Sequence, residues 1–142
     1  MMEITVCNNL KASTQKPTLP HVNIVITTPD KEFIDLPEND NRLDTLFLKF
    51  SDTDYIDDST VISNQQAMDI IDFIHTFKDR IQLVAVSCDA GISRSAGVAA
   101  ALSMIYNRDD KWVFNDPIMT PNMYVRRTLL EVHTKLFGTS EQ

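Results

Sequence analysis

Cys88, Asp89, Ala90, Gly91, Ile92, Ser93, Arg94 and Ser95 stand between the apolar run Leu83 to Val86 and a string of small residues from Ala96 to Leu102. An apolar run followed by a Gly-containing turn and then small residues reads as a strand that hands over to a helix beginning near Arg94. An arginine at a helix start opposes the positive end of the helix dipole, so something negative must compensate it. A thiolate or a bound phosphate supplies that charge, and helix-start N–H groups and a guanidinium favour both. Gly91 permits backbone dihedrals closed to other residues, Ser93 and Ser95 add hydroxyl donors, and Arg94 can grip two phosphate oxygens with its planar fork. The segment is an anion cradle that carries its own nucleophile. The blander reading, a buried structural cysteine beside a surface arginine, leaves the position of Arg94 unexplained.

The elements around this segment follow from periodicity. Runs rich in Val and Ile predict strands at Ile4 to Cys7, Val22 to Ile26, Leu46 to Phe50 and Ile81 to Val86. Ser63 with Gln66 forms a capping-box pattern ahead of Ala67, Ile70, Ile71, Ile74 and Phe77 at helical spacing. Thr120 and Pro121 predict an N-cap and first helical residue before the stripe Val125, Leu129, Val132 and Leu136. Strands alternating with helices predict an α/β domain with a mostly parallel central sheet, flanked by helices and covered on both sides, and sites in such sheets form at the carboxyl ends of strands. Cys88 lies at such an end.

With 142 residues and 43% apolar content, residues 1–142 read as a single domain with a real core. Cys7 and Cys88 show no paired spacing, so neither a disulfide framework nor a metal site is signalled, and a reducing, cytoplasmic setting is expected. No targeting segment or span of about 18 apolar residues is evident. The net charge of −7 disfavours nucleic acid and anionic membrane as partners. His21, His75 and His133 are dispersed and read as structural or surface groups, Cys7 as core, Trp112 and Phe114 as packing between helices, and Arg126 and Arg127 as a solvated helix face.

The run from Cys88 to Ser95 resembles the signature loop of the cysteine-dependent protein tyrosine and dual-specificity phosphatases. "GISRSAGV" is most similar to the dual-specificity enzymes and their small bacterial and phage relatives. "LFLKFSD" resembles the strand leading to that family's acid loop, "AMDIIDFI" its next helix, and "TPNMYVRRTLLEVH" its Ser-Pro-Asn helix, so the likeness covers roughly Leu46 to His133. It implies a tyrosine-phosphatase-like fold and hydrolysis of a phosphomonoester, on a protein or a small molecule, without a cofactor or metal. Cys88 would attack phosphorus, the loop residues Asp89, Ala90, Gly91, Ile92, Ser93 and Arg94 would bind the phosphate, and Arg94 would stabilise equatorial charge. Ser95 would donate to the departing thiolate, and Asn122 would support the loop from behind.

The mechanism also needs a carboxyl group that alternates between acid and base. If Leu46, Leu48 and Phe50 share one face of a strand, Asp52 continues that series, and it matches the aspartate ending the family's acid strand. Distance in sequence from Cys88 favours Asp57 instead, and Asp54 is a third candidate. Two departures matter. Ser87 stands where the family has histidine and is expected to give the loop less support. Asp89 and Ala90 stand where lipid phosphatases of the superfamily carry basic residues, which disfavours substrates with additional phosphates. The alternative function is a catalytically weak phosphoprotein-binding module; a sulfur transferase or arsenate reductase fits the full spacing less well.

Overall fold

A computed structural model of the chain describes residues 2–53 and 59–138. Strand β1 (Glu3–Asn8) runs into a one-turn helix α1 (Asn9–Ala12), followed by β2 (His21–Thr27), β3 (Arg42–Lys49), α2 (Asn64–Phe77), β4 (Leu83–Cys88), α3 (Arg94–Asn107), the short α4 (Lys111–Asn115) and α5 (Met123–Phe137). The strands form one sheet in the order β1-β4-β2-β3, and all three pairings are parallel. Every residue of the inner strands β2 and β4 is buried, as expected of a parallel sheet covered on both faces.

The two faces differ in chemistry. Val22, Ile24 and Ile26 of β2 and Val84, Val86 and Cys88 of β4 point into the main core with α2 and α3. The alternate positions Asn23, Ala85 and Ser87 point the other way, where Cys7, Ala12, Gln15, Pro17 and Leu36 enclose a small space. Both faces are covered, with the longer helices concentrated on one and α1 and loops closing the other. The segment between β2 and β3 contains no helix and crosses on that loop face.

α3 is buried along its whole first ten residues, from Arg94 to Ser103. It is clamped between the sheet and α5, and small residues make this close approach feasible: a Cβ on Gly97 would lie 2.6 Å from the Asn122 carbonyl oxygen and 3.1 Å from Val125 Cβ. The capping box of α2 forms as expected, with Ser63 Oγ accepting from Gln66 N at 3.0 Å and Gln66 Oε1 accepting from Ser63 N at 3.0 Å. Gln66 Nε2 also donates to the Lys49 carbonyl at 2.8 Å, which fixes α2 to the end of β3.

Several expectations need correction. The start of α5 is not capped by Thr120: Asn122 is the N-cap, and its Oδ1 accepts from Tyr124 N at 3.0 Å and Val125 N at 3.1 Å. Thr120 is used elsewhere, its N–H donating to the Ile92 carbonyl at 2.8 Å. β3 starts four residues earlier than Leu46 and stops before Phe50, while β4 excludes Ile81 and reaches Cys88. Arg126 is not simply solvated, since its Nε lies 2.9 Å from Asp110 Oδ2 with both side chains mostly covered; Arg127 is exposed as expected. Leu136 of the apolar stripe is exposed, whereas Val125, Leu129 and Val132 are buried. Trp112 and Phe114 are exposed rather than packed between helices, although Trp112 Nε1 donates to Ser103 Oγ at 3.0 Å.

Candidate active site

Cys88 ends β4 with its side chain on the core face, 1% exposed, and the chain turns at Gly91 with φ of +75°. Three polar groups converge on the sulfur: the Ser95 hydroxyl at 3.0 Å, and the N–H donors of Gly91 at 3.3 Å and Ser95 at 3.4 Å. The loop is pressed against the end of β1, so that a Cβ on Gly91 would lie 2.4 Å from Asn8 N and 2.5 Å from the Cys7 carbonyl carbon. Only glycine meets both the positive φ and this approach.

Behind the loop, the carbonyls of Ile92 and Ser93 accept from Thr120 N at 2.8 Å and Asn122 N at 3.0 Å. Ser93 precedes α3, yet its side chain makes no capping bond to the helix. Its hydroxyl instead donates to Asp52 Oδ1 at 2.7 Å, so the N-cap side chain does not occupy the start of α3, where Ser95 N already turns toward Cys88 Sγ, the arrangement that suits an anion. Asn122 Nδ2 donates to the same Asp52 oxygen at 3.0 Å. One asparagine thus starts α5 with its carbonyl oxygen, holds Asp52 with its amide nitrogen, and ties down the loop with its backbone N–H.

Asp52 is the carboxylate brought to the loop among the described residues following β3; Asp54 and Asp57 lie outside the described residues. A cleft of about 420 Å³ opens beside it, lined by Asp52, Thr53, Ser93, Thr120, Pro121, Asn122 and Met123. A larger groove of about 620 Å³ runs along the outer face of α5 and includes none of the loop residues.

Arg94 is 5% exposed and held firmly. Its Nη1 donates to the Phe50 carbonyl at 2.9 Å and to Thr28 Oγ1 at 3.2 Å, and its Nη2 donates to Asp89 Oδ2 at 3.2 Å. Nε is buried with no hydrogen-bond partner among the described residues. A guanidinium carries Nε–H and one Nη2–H on the same edge, so that is the edge on which Nε–H has no acceptor among the described residues.

Asp89 does not contribute its side chain to the phosphate cradle as a ligand would. Its carboxylate accepts from Thr28 N at 3.1 Å, from the Thr28 hydroxyl, from Asn9 Nδ2 at 3.3 Å and from Arg94. Burial alone would push this carboxyl up, but the Thr28 and Arg94 bonds and the Arg94 charge outweigh it and hold it below its ordinary range. Ala90 is exposed and Ile92 half-buried, so they offer backbone rather than side-chain groups.

Ser87 gives the loop no side-chain support, which corrects that expectation. Strand alternation turns it to the face opposite Cys88, and its buried Oγ has no hydrogen-bond partner among the described residues. Conversely, Thr28, Asn9 and the Phe50 carbonyl were not anticipated. A backbone carbonyl leaves no mark on residue type, and nothing in sequence links Thr28 to Arg94.

No family model matches the sequence, and no curated protein matches it. The fold, by contrast, is shared with solved structures. A human tyrosine phosphatase-like serine/threonine/tyrosine-interacting protein superposes with a TM-score of 0.63 at 17% identity, over 94% of this chain and 92% of that one. DUSP15 gives 0.61 at 21% identity over 92% and 83%, and human DUSP28 gives 0.59 at 14% identity over 96% and 95%. The chain has the fold of the dual-specificity and tyrosine phosphatases.

Proposed function

We propose that this chain hydrolyses phosphomonoesters through a phosphocysteine intermediate. The observation that carries the reading is the convergence of Gly91 N–H, Ser95 N–H and Ser95 hydroxyl on Cys88 Sγ, at the uncapped start of a helix. Such a sulfur is stabilised both when it attacks and when it leaves. Cys88 Sγ bonds to phosphorus as the ester P–O bond breaks, and the leaving oxygen takes a proton from Asp52. A water then attacks phosphorus, gives its proton to Asp52, and the S–P bond breaks to release inorganic phosphate. The free edge of Arg94 and the loop and helix amides hold the equatorial oxygens as charge builds on them.

The substrate class is a phosphorylated protein or a small phosphomonoester. A carboxylate at position 89 disfavours substrates bearing further phosphates near the loop. The free thiols Cys7 and Cys88 fit a reducing, cytoplasmic setting. A second reading, a module that holds phosphoproteins with little turnover, is favoured by the Ser87 hydroxyl turning away from the loop.

Purified protein is expected to hydrolyse para-nitrophenyl phosphate. Cys88→Ser should abolish this while keeping tungstate binding measurable by calorimetry, and Asp52→Asn should lower kcat by about 100-fold or more with tungstate affinity little changed. Tungstate binding without turnover in the unaltered protein favours the binding module. Full activity in both variants removes the mechanism.

A further inference from the structure

The guanidinium of Arg94 has two usable edges, and the protein treats them differently. The end edge, Nη1 with Nη2, faces Thr28 Oγ1 and Asp89 Oδ2, which are themselves hydrogen-bonded to each other. The side edge, Nε with Nη2, has no acceptor on Nε among the described residues. The geometry points to Asp89 and Thr28 as a built-in clamp that grips the end edge of Arg94 and so presents its side edge to the phosphate. This inference rests on the phosphatase reading and deepens it, since it assigns positioning roles at the same site.

A carboxylate beside a phosphate site would ordinarily weaken anion binding, so its presence needs a compensating purpose. Its mounting supplies one. Asp89 is fixed by three donors besides Arg94, and these come from elements outside the loop: Thr28 N and Oγ1 just after β2, and Asn9 Nδ2 at the start of α1. Asn9 is itself anchored, its Nδ2 also donating to the Ile26 carbonyl at 3.0 Å. The carboxylate is thus a rigid part of the β1 and β2 ends, with its charge spread over neutral donors. The Phe50 carbonyl takes the remaining direction of Nη1. An arginine side chain has several rotatable bonds, and gripping three of its hydrogens removes that freedom before substrate arrives.

Removing the clamp should therefore harm catalysis even though it removes a negative charge. Asp89→Ala and Thr28→Val should each lower kcat for para-nitrophenyl phosphate by on the order of 10- to 100-fold, with a smaller change in KM. Tungstate affinity, measured by calorimetry, should fall rather than rise. Thr28→Ser, which keeps the hydroxyl, should recover most of the rate that Thr28→Val loses. Circular dichroism of each variant verifies folding, and the Thr28 pair carries the test if Asp89→Ala does not fold. A rise in kcat or in tungstate affinity on removing the carboxylate would show an ion pair that competes with substrate and would overturn the clamp; so would a kcat within about twofold of the unaltered protein. If the unaltered protein neither turns over substrate nor binds tungstate, the phosphatase reading itself falls. If it is active, Cys88→Ser is dead and the Asp89 and Thr28 variants are unaffected, only the clamp falls.

Discussion

Replacing Gly91 with alanine should unfold the signature loop from its seat. At φ of +75° a side chain costs about 1–2 kcal/mol in the backbone alone. The added Cβ would also sit 2.4 Å from Asn8 N, 2.5 Å from the Cys7 carbonyl carbon and 2.8 Å from Asn8 Cα. These are backbone atoms of β1, held in register with β4 by the pairing of Asn8 with Cys88, so they cannot swing aside as a side-chain tip would. Overpacking of this kind adds about 1–3 kcal/mol, for a total of about 2–5 kcal/mol. Two other glycines separate the contributions. Gly138 has φ of +79° but nothing within 4 Å, so Gly138→Ala isolates the backbone cost at about 1–2 kcal/mol. Gly97 lies inside α3 without a positive φ, so Gly97→Ala sets a gain of about 1 kcal/mol in helix propensity against overlap with the Asn122 carbonyl oxygen 2.6 Å away. Urea denaturation followed by circular dichroism gives the three stabilities, and tungstate calorimetry reads the loop. The expected order of loss is Gly91→Ala well beyond Gly138→Ala, with anion binding abolished only in the former. Equal midpoints for those two variants, with tungstate still bound, would refute the seating of the loop against β1.

The dual role of Asn122 predicts a split between two variants. Asn122→Ala loses the α5 cap and should cost about 1–2 kcal/mol in denaturant, whereas Asn122→Asp keeps the acceptor for Tyr124 N and Val125 N but sets a carboxylate against Asp52; its kcat against pH should change more than its stability. Asp89 titrates in the folded protein below its ordinary value of 3.8, so between the two values the unfolded chain binds more protons; its stabilisation is complete above about pH 4 and is lost as pH falls through the folded value. Acid denaturation should therefore be less steep in Asp89→Asn. His133 is lowered from 6.5 by burial and, less, by the charge of His75, which shares a stacking arrangement with it around Phe137. Its contribution is full above about pH 6.5 and is lost as pH falls through the lower folded value, so His133→Gln should flatten the fall in urea midpoint between pH 7 and 5.

Much of the fold was legible because its signals are local. The capping box Ser63 and Gln66, the small residues of α3 and the strand runs each depend on neighbours within a few positions. Asp52 was reachable by strand alternation, and it does meet Ser93 and Asn122. The same alternation, applied to Ser87, places it opposite Cys88 and away from the loop; that inference was available and the resemblance to a histidine position obscured it. The N-cap of α5 was misplaced by two residues because Thr-Pro is a good local start signal. A tertiary bond from Thr120 N to Ile92 overrode it, drawing the chain to the loop before the helix begins.

Sequence by itself determined the chemistry at the centre: a cysteine, a glycine able to take positive φ, an arginine and a serine, spaced so that a strand-to-helix turn gathers them. Their closeness is enforced by a chain only eight residues long from Cys88 to Ser95, so no distant contact is needed to bring them together. Tertiary structure alone decided how Arg94 is aimed. Thr28, Asn9 and Phe50 reach it or its partner Asp89 from the ends of three different elements, across long stretches of chain. Parallel strands place those ends on one edge of the sheet, and that juxtaposition exists only once β4 has inserted between β1 and β2.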